Sequence, residues 1–296
     1  MTSDRRRYEL DFAADLRHAA FGNKSMRLDR RGLWWPVETP DGLGTLHVER
    51  PVGGVVDAEA WGPGASWLLD RVPDVLGGRD RPETFRPQHP TLSLVSRRGV
   101  KRFGRTERVF EILLPTILGQ KVQTKAAYAS LRRIVARYGE QAPGPVPSGL
   151  RAFPSAARLA SIGSYELHPL GVERKRADTI LRAAKVAHRL EEVVGMDTVD
   201  VERRLRAVRG IGPWTSAWVR WHALGDADAV PIGDFHIPHN VAWVLAGEPR
   251  ATDERMLELL APYEGHRGRV VRMIKSSGES APKYGPRLSI MDFADR

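Results

Sequence analysis

The chain has 296 residues, 42% of them hydrophobic, and carries a net charge of +10 at pH 7. That length accommodates two domains, and that charge calls for a polyanionic partner, either nucleic acid or an anionic membrane. The absence of cysteine excludes disulfides and thiolate-bound zinc or iron–sulfur centres, and no window approaches the ~18 apolar residues of a membrane span. The start, Met1-Thr2-Ser3-Asp4-Arg5-Arg6-Arg7, has no apolar run behind it and does not read as a signal peptide. A cytoplasmic, nucleoid-associated protein is the expectation. Arginine outnumbers lysine 38 to 8, which suits bidentate phosphate contacts and equally reflects a compositional bias of the genome.

Residues 1–95 read as a mixed α/β sheet domain. Leu33-Trp34-Trp35-Pro36-Val37-Glu38 and Gly44-Thr45-Leu46-His47-Val48-Glu49 flank the turn Thr39-Pro40-Asp41-Gly42, a strand–turn–strand signature. Residues 62–72 read as a loop feeding a short helix, and Gly77 to Pro90, rich in Gly, Pro and charge, as a linker. From about residue 97 the period turns helical. Thr106 to Gln120 places Val109, Phe110, Leu113, Leu114, Ile117 and Leu118 at helical spacing, with a kink or break expected at Pro115. Further helices are expected at 122–138, 155–161, 164–168, 173–191, 198–208, 213–223, 235–246, 253–261 and 265–276. Residues 96–277 thus form a helical core, and 278–296 a tail.

The most informative stretch is Leu205-Arg206-Ala207-Val208-Arg209-Gly210-Ile211-Gly212-Pro213-Trp214-Thr215. It reads as helix, tight Gly-Ile-Gly turn, and a second helix opening at Pro213, where the missing N–H costs nothing. Backbone amides at such a turn, with the positive end of a helix dipole, suit a phosphate, with Arg209, Gly210, Gly212 and Thr215 as contacts. The plainer alternative is an αα-corner with glycine at a helix C-cap. Twenty residues past Trp214 stands Asp234, in a sequence that suits a helix N-cap. Trp214, Trp218 and Trp221 share one helical face, a pattern that fits a core stripe as well as a binding surface.

These residues together resemble the helix-hairpin-helix DNA-glycosylase superfamily, and within it the bacterial 3-methyladenine DNA glycosylase II type. The resemblance implies an α+β chain, with a small sheet domain before a two-lobed helical core and the active cleft between the lobes. It assigns Asp234 to cleavage of the glycosidic bond, where an anion stabilises the oxocarbenium-like sugar and orients water. It assigns Trp214 and Trp218 to the pocket for the everted base, where an indole face attracts a cationic alkylated ring by ~0.5–2 kcal/mol. Trp221 is left to the core.

Ile117-Leu118-Gly119-Gln120-Lys121-Val122-Gln123 matches the turn that enters the DNA stack in this family. Gln120 is then expected to line the gap or the pocket. Lys121 departs from the usual apolar wedge and suits a phosphate or the orphaned base. Leu170-Gly171-Val172-Glu173-Arg174-Lys175-Arg176-Ala177 matches a second phosphate site, with Gly171, Lys175 and Arg176 as contacts; a solvated basic helix end reads equally well. His236 is expected near the pocket, and His222, His236 and His239 lack a zinc-binding pattern. No side-chain metal site or organic cofactor is expected, though such hairpins often hold a monovalent cation on backbone carbonyls.

Superfamily members that also nick the strand carry a nucleophilic lysine where this chain has Trp214. The implied activity is therefore a monofunctional glycosylase acting on alkylated purines such as 3-methyladenine in double-stranded DNA, as a monomer. The rivals are a glycosylase for oxidised or deaminated purines and a DNA-structure-binding protein without catalysis.

Overall fold

The computed structural model describes residues 3–282. It is α+β: a five-stranded antiparallel sheet followed by helices. Of the expected tail, everything from residue 283 onward lies outside the described residues.

The sheet contains β1 (Ser3–Glu9), β2 (Arg27–Leu28), β3 (Gly32–Thr39), β4 (Gly42–Glu49) and β5 (Val55–Trp61), in the order β1-β5-β4-β3-β2. β3 and β4 form the expected hairpin, with Thr39 paired to Gly42 across Pro40 and Asp41. One face buries Leu33, Trp35, Val37, Leu46 and Val48 with Leu68 and Leu69 of α1 (Ala65–Asp70). On the other, Trp34 stacks on His47 at 3.9 Å between ring centroids. β3 is therefore buried on both faces, as its near-continuous apolar run requires.

The segment expected to be a linker, Gly77 to Pro90, is instead packed into the protein. Phe85 is buried, and with Leu92 of α2 (Pro90–Arg97) and Phe103 it joins a core built from Trp221, Val241, Met256, Val270 and Ile274. Asp80 explains why this polar stretch stays in place. Its carboxylate accepts from the Phe103 N–H at 2.8 Å and pairs at 2.5 Å with Arg269, both partners being buried. A buried ion pair is costly to split, because either partner left alone is an unpaired charge out of water.

The longer helices that follow are α3 (Val109–Leu118), α4 (Thr124–Tyr138), α5 (Arg174–Lys185), α6 (Thr198–Arg206), α7 (Pro213–Ala223), α8 (Ile237–Ala246), α9 (Asp253–Leu260) and α10 (Arg267–Ser277). Of the kink or break expected at Pro115, the break does not occur: α3 runs on through it. Its apolar residues are buried nearly all round, so packing against α4, α5 and α7 holds the helix where propensity would end it. The region 173–191, read as one helix, divides at Val186 into Arg174–Lys185 and Ala187–Glu191.

α3 also joins the sheet to the helical core through Glu111. This carboxyl is fully buried, takes the Trp35 indole N–H at 2.7 Å and meets the Ser25 hydroxyl. Burial pushes its pKa from 4.5 up to about 8, against the opposing pull of Trp35 and Arg108. Between those two values the folded chain holds a proton that the unfolded chain has released. The stabilisation is therefore complete below pH 4.5 and is lost as pH rises to about 8. The expected slope in denaturant unfolding is a fall of up to ~1.4 kcal/mol per pH unit across that window, and Glu111→Gln should flatten it.

Candidate active site

The hairpin is built as its glycines require. Gly210 has φ +102°, and a Cβ there would lie 2.2 Å from the Thr179 hydroxyl, so the turn closes against α5 only without a side chain. Around Gly212 nothing lies within 4 Å of where a Cβ would be, which leaves that backbone open to a partner. Pro213 opens α7, and Arg209 beside the turn is exposed. The carbonyls of Val208, Arg209 and Gly210 each accept one hydrogen bond, from the Ile211 N–H, Arg182 Nε and Gln120 Nε2. Each keeps a second lone pair.

Asp234 sits where its chemistry and its capping role coincide. Its Oδ1 accepts the backbone N–H groups of His236 (2.8 Å) and Ile237 (3.0 Å), ordering the start of α8. Its Oδ2 accepts the indole N–H of Trp214 at 2.8 Å. The residue is half-buried. Asp253 holds the preceding turn by accepting the Gly233 N–H at 3.0 Å. Asp226 and Asp228, the nearby carboxylates, are committed elsewhere, to Arg220 and Arg267 respectively.

The three tryptophans of α7 run as a ladder of edge contacts, 5.9 Å from Trp214 to Trp218 and 5.0 Å from Trp218 to Trp221. Trp221 is buried in the core, while Trp214 and Trp218 are half-buried. His222 stacks on Trp218 at 5.5 Å, and burial lowers its pKa to about 3, so a neutral imidazole backs the indole. The ammonium of Lys275, on α10, stands 5.5 Å from the Trp218 ring and 5.5 Å from Phe21, which comes from the N-terminal unit. Lys275, Phe21 and His222 had no motif to mark them in the sequence. Of the three, only His222 had a hint, four residues beyond Trp218.

Other expected contacts fall differently. Gln120 does not hang free in a gap: its amide nitrogen donates to the Gly210 carbonyl and the Thr215 hydroxyl, both at 2.9 Å, locking the 119–123 turn to the hairpin. Thr215 is 2% exposed beneath Gln120, whose amide its hydroxyl accepts, so burial keeps it from a phosphate. Arg176 is 4% exposed and donates to the Leu118 carbonyl at 2.9 Å, which removes it from any phosphate. Gly171 is buried with its N–H on the His168 carbonyl and its own carbonyl on Ser130, so its amide is spent as well. Lys175 remains exposed, as does Lys121, held with φ +56° at the tip of its turn. His236 is exposed, edge-on to Phe235 at 4.9 Å. The basic start of α10 is structural: Arg267 binds Asp228 and Arg269 binds Asp80.

Among the described residues no cluster of three or more His, Asp or Glu side chains is placed to hold a metal ion. A cavity of about 440 Å³ lined by Asp15, His18, Lys101 and Arg102 includes none of the residues above. The structure thus brings together a hairpin with open backbone, an aspartate bonded to the first tryptophan of the following helix, and a second indole beside it.

The family model for "HhH-GPD superfamily base excision DNA repair protein" matches residues 114–264, just over half of the chain, and the chain belongs to this superfamily. The DNA-3-methyladenine glycosylase of Bacillus subtilis is 26% identical over 183 residues, a match covering 59% of this chain and 59% of that protein. The 3-methyladenine DNA-glycosylase of Archaeoglobus fulgidus superposes with a TM-score of 0.74 at 19% identity, over 91% of this chain and 96% of that one. The 8-oxoguanine glycosylase/lyase of Clostridium acetobutylicum superposes with a TM-score of 0.64 at 13% identity, over 93% and 96%. These two likenesses establish the shared fold.

Gly210→Ala should cost roughly 1–3 kcal/mol, combining positive φ with the Thr179 clash. Gly212→Ala, at an open position, should leave stability within about 1 kcal/mol and instead weaken DNA binding. Thermal unfolding and a duplex-binding titration on each variant separate the two.

Proposed function

We propose that the protein is a monofunctional DNA glycosylase of base excision repair that removes alkylated purines, 3-methyladenine among them, from double-stranded DNA. The observation that carries this reading is the Asp234 carboxylate bonded to Trp214 at 2.8 Å, beside Trp218. The hairpin amides hold a phosphate, Arg209, Lys121 and Lys175 add cationic contacts, and the lesion is everted against the two indoles. As the C1′–N bond breaks, its electron pair leaves with the base and positive charge grows on the sugar. Asp234 stabilises that charge and orients the water that attacks C1′. Three N–H donors pin the carboxylate, so it needs no reorganisation as the charge develops.

Trp214 supplies no amine, and the reading includes no Schiff base and no strand cleavage. The protein works as a cytoplasmic monomer without an organic cofactor; among the described residues no helix is long and apolar enough to cross a membrane. A monovalent cation resting on the second lone pairs of the Val208 and Gly210 carbonyls would reinforce attraction for phosphate.

Asp234→Asn should lower base release from methylated duplex DNA by ~10²-fold or more, with binding of an abasic duplex largely kept. The amide would also set a donor against the Trp214 N–H. Equal release by both proteins overturns the assignment. Borohydride treatment during turnover should trap no enzyme–DNA adduct, and a covalent product would establish a lyase instead.

A further inference from the structure

Lys275 is not required by the mechanism just described, yet it stands inside the same site. Its ammonium is 5.5 Å from the Trp218 centroid, the distance at which a cation is held by an indole quadrupole. The second ring beside it, Phe21 at 5.5 Å, belongs to a different part of the chain, so the amine is bracketed between the N-terminal unit and α7. The charges acting on Lys275 are one carboxylate, Asp234, and two cations, Lys24 and Arg272. Lys24 stands over Tyr128 at 4.8 Å, and Arg272 donates to His18, an imidazole that burial keeps neutral. With His222 also neutral, Lys275 and the charges acting on it amount to three positive groups against one negative group.

A cationic base entering this site meets that surplus of positive charge and finds the indole's cation position already taken. A neutral base carrying a carbonyl or ring-nitrogen acceptor meets a hydrogen-bond donor instead. We propose that Lys275 is a specificity-determining residue of the base pocket, favouring neutral purine lesions that present an acceptor over cationic ones. This rests on the glycosylase reading above and ranks the lesions within it, raising neutral purines such as hypoxanthine relative to the cationic alkylated ones. It acts on rank order, superimposed on the greater lability of a cationic leaving group. Asp234 offsets part of the repulsion, so the selectivity is a matter of ratio and not of exclusion.

The test compares hypoxanthine, a neutral base, with 7-methylguanine, a cationic one, each in the same duplex. Release rates are measured for wild type, Lys275→Met and Lys275→Arg. The same pair of duplexes is titrated against Asp234→Asn with and without Lys275→Met. Lys275→Met should shift the release ratio, and the affinity ratio in the Asp234→Asn background, about ten-fold toward the cationic base. Lys275→Arg, which keeps charge and donors, should leave the release ratio near wild type. Ratios that move less than about two-fold in both assays overturn the proposal even if both bases are released, leaving the glycosylase reading intact. A shifted affinity ratio with no release by wild type sustains the role of Lys275 and rejects the enzyme. Failure of Asp234→Asn to prefer either lesion over undamaged duplex rejects both.

Discussion

The hydrogen bond from the Trp214 indole to Asp234 is the contact on which the site depends. It spans twenty residues of sequence and ties the first turn of α7 to the start of α8. The same carboxylate takes two backbone N–H groups that α8 cannot satisfy internally, so helix capping and placement of the anion are one event. A residue that caps without a carboxylate keeps α8 and loses the anion, while one that turns its carboxylate elsewhere frees the indole. The ladder from Trp214 through Trp218 to buried Trp221 then carries this placement into the core, so the pocket's rings are set by packing around Trp221.

The N-terminal unit is part of the site and not an appendage. Gly22 approaches so closely that a Cβ would sit 2.3 Å from the His222 ring, and His222 in turn backs Trp218. Phe21, one residue earlier, reaches Lys275. Ser25, three residues past Gly22, meets Glu111 on α3. Three residues within the stretch 21–25 therefore touch α3, α7 and α10, which explains how a sheet with no catalytic signature of its own reaches the side chains around Trp218.

What was legible in the sequence is what local geometry dictates. Gly210, Gly212 and Pro213 read as a turn because backbone conformation restricts those positions, and Asp234 reads as a helix start for the same reason. The hairpin of β3 and β4 was visible through its turn, whereas β1, Ser-Asp-Arg-Arg-Arg-Tyr-Glu, shows no alternation because almost every residue in it is exposed. Partnerships across the chain were not legible. Arg176 looks like a phosphate contact until Leu118 is brought beside it, and Thr215 until Gln120 arrives. Gly77 to Pro90 has the composition of a linker, and only the distant Arg269 makes its Asp80 an anchor. Lys275 belongs to the same class, since nothing in its neighbours along the chain records that Trp218, Phe21 and Asp234 converge on it.

Lys121 carries a consequence of a different kind. It is a side-chain-bearing residue wound into left-handed backbone, in a turn that Gln120 bolts to the hairpin. Holding a lysine that way is unfavourable on its own, so the neighbouring bonds must impose it before any duplex arrives. The backbone of the tip is thus stiff and not a floppy finger: the entropy of shaping the turn is spent during folding, and only the exposed lysine side chain is left to be ordered by whatever it meets.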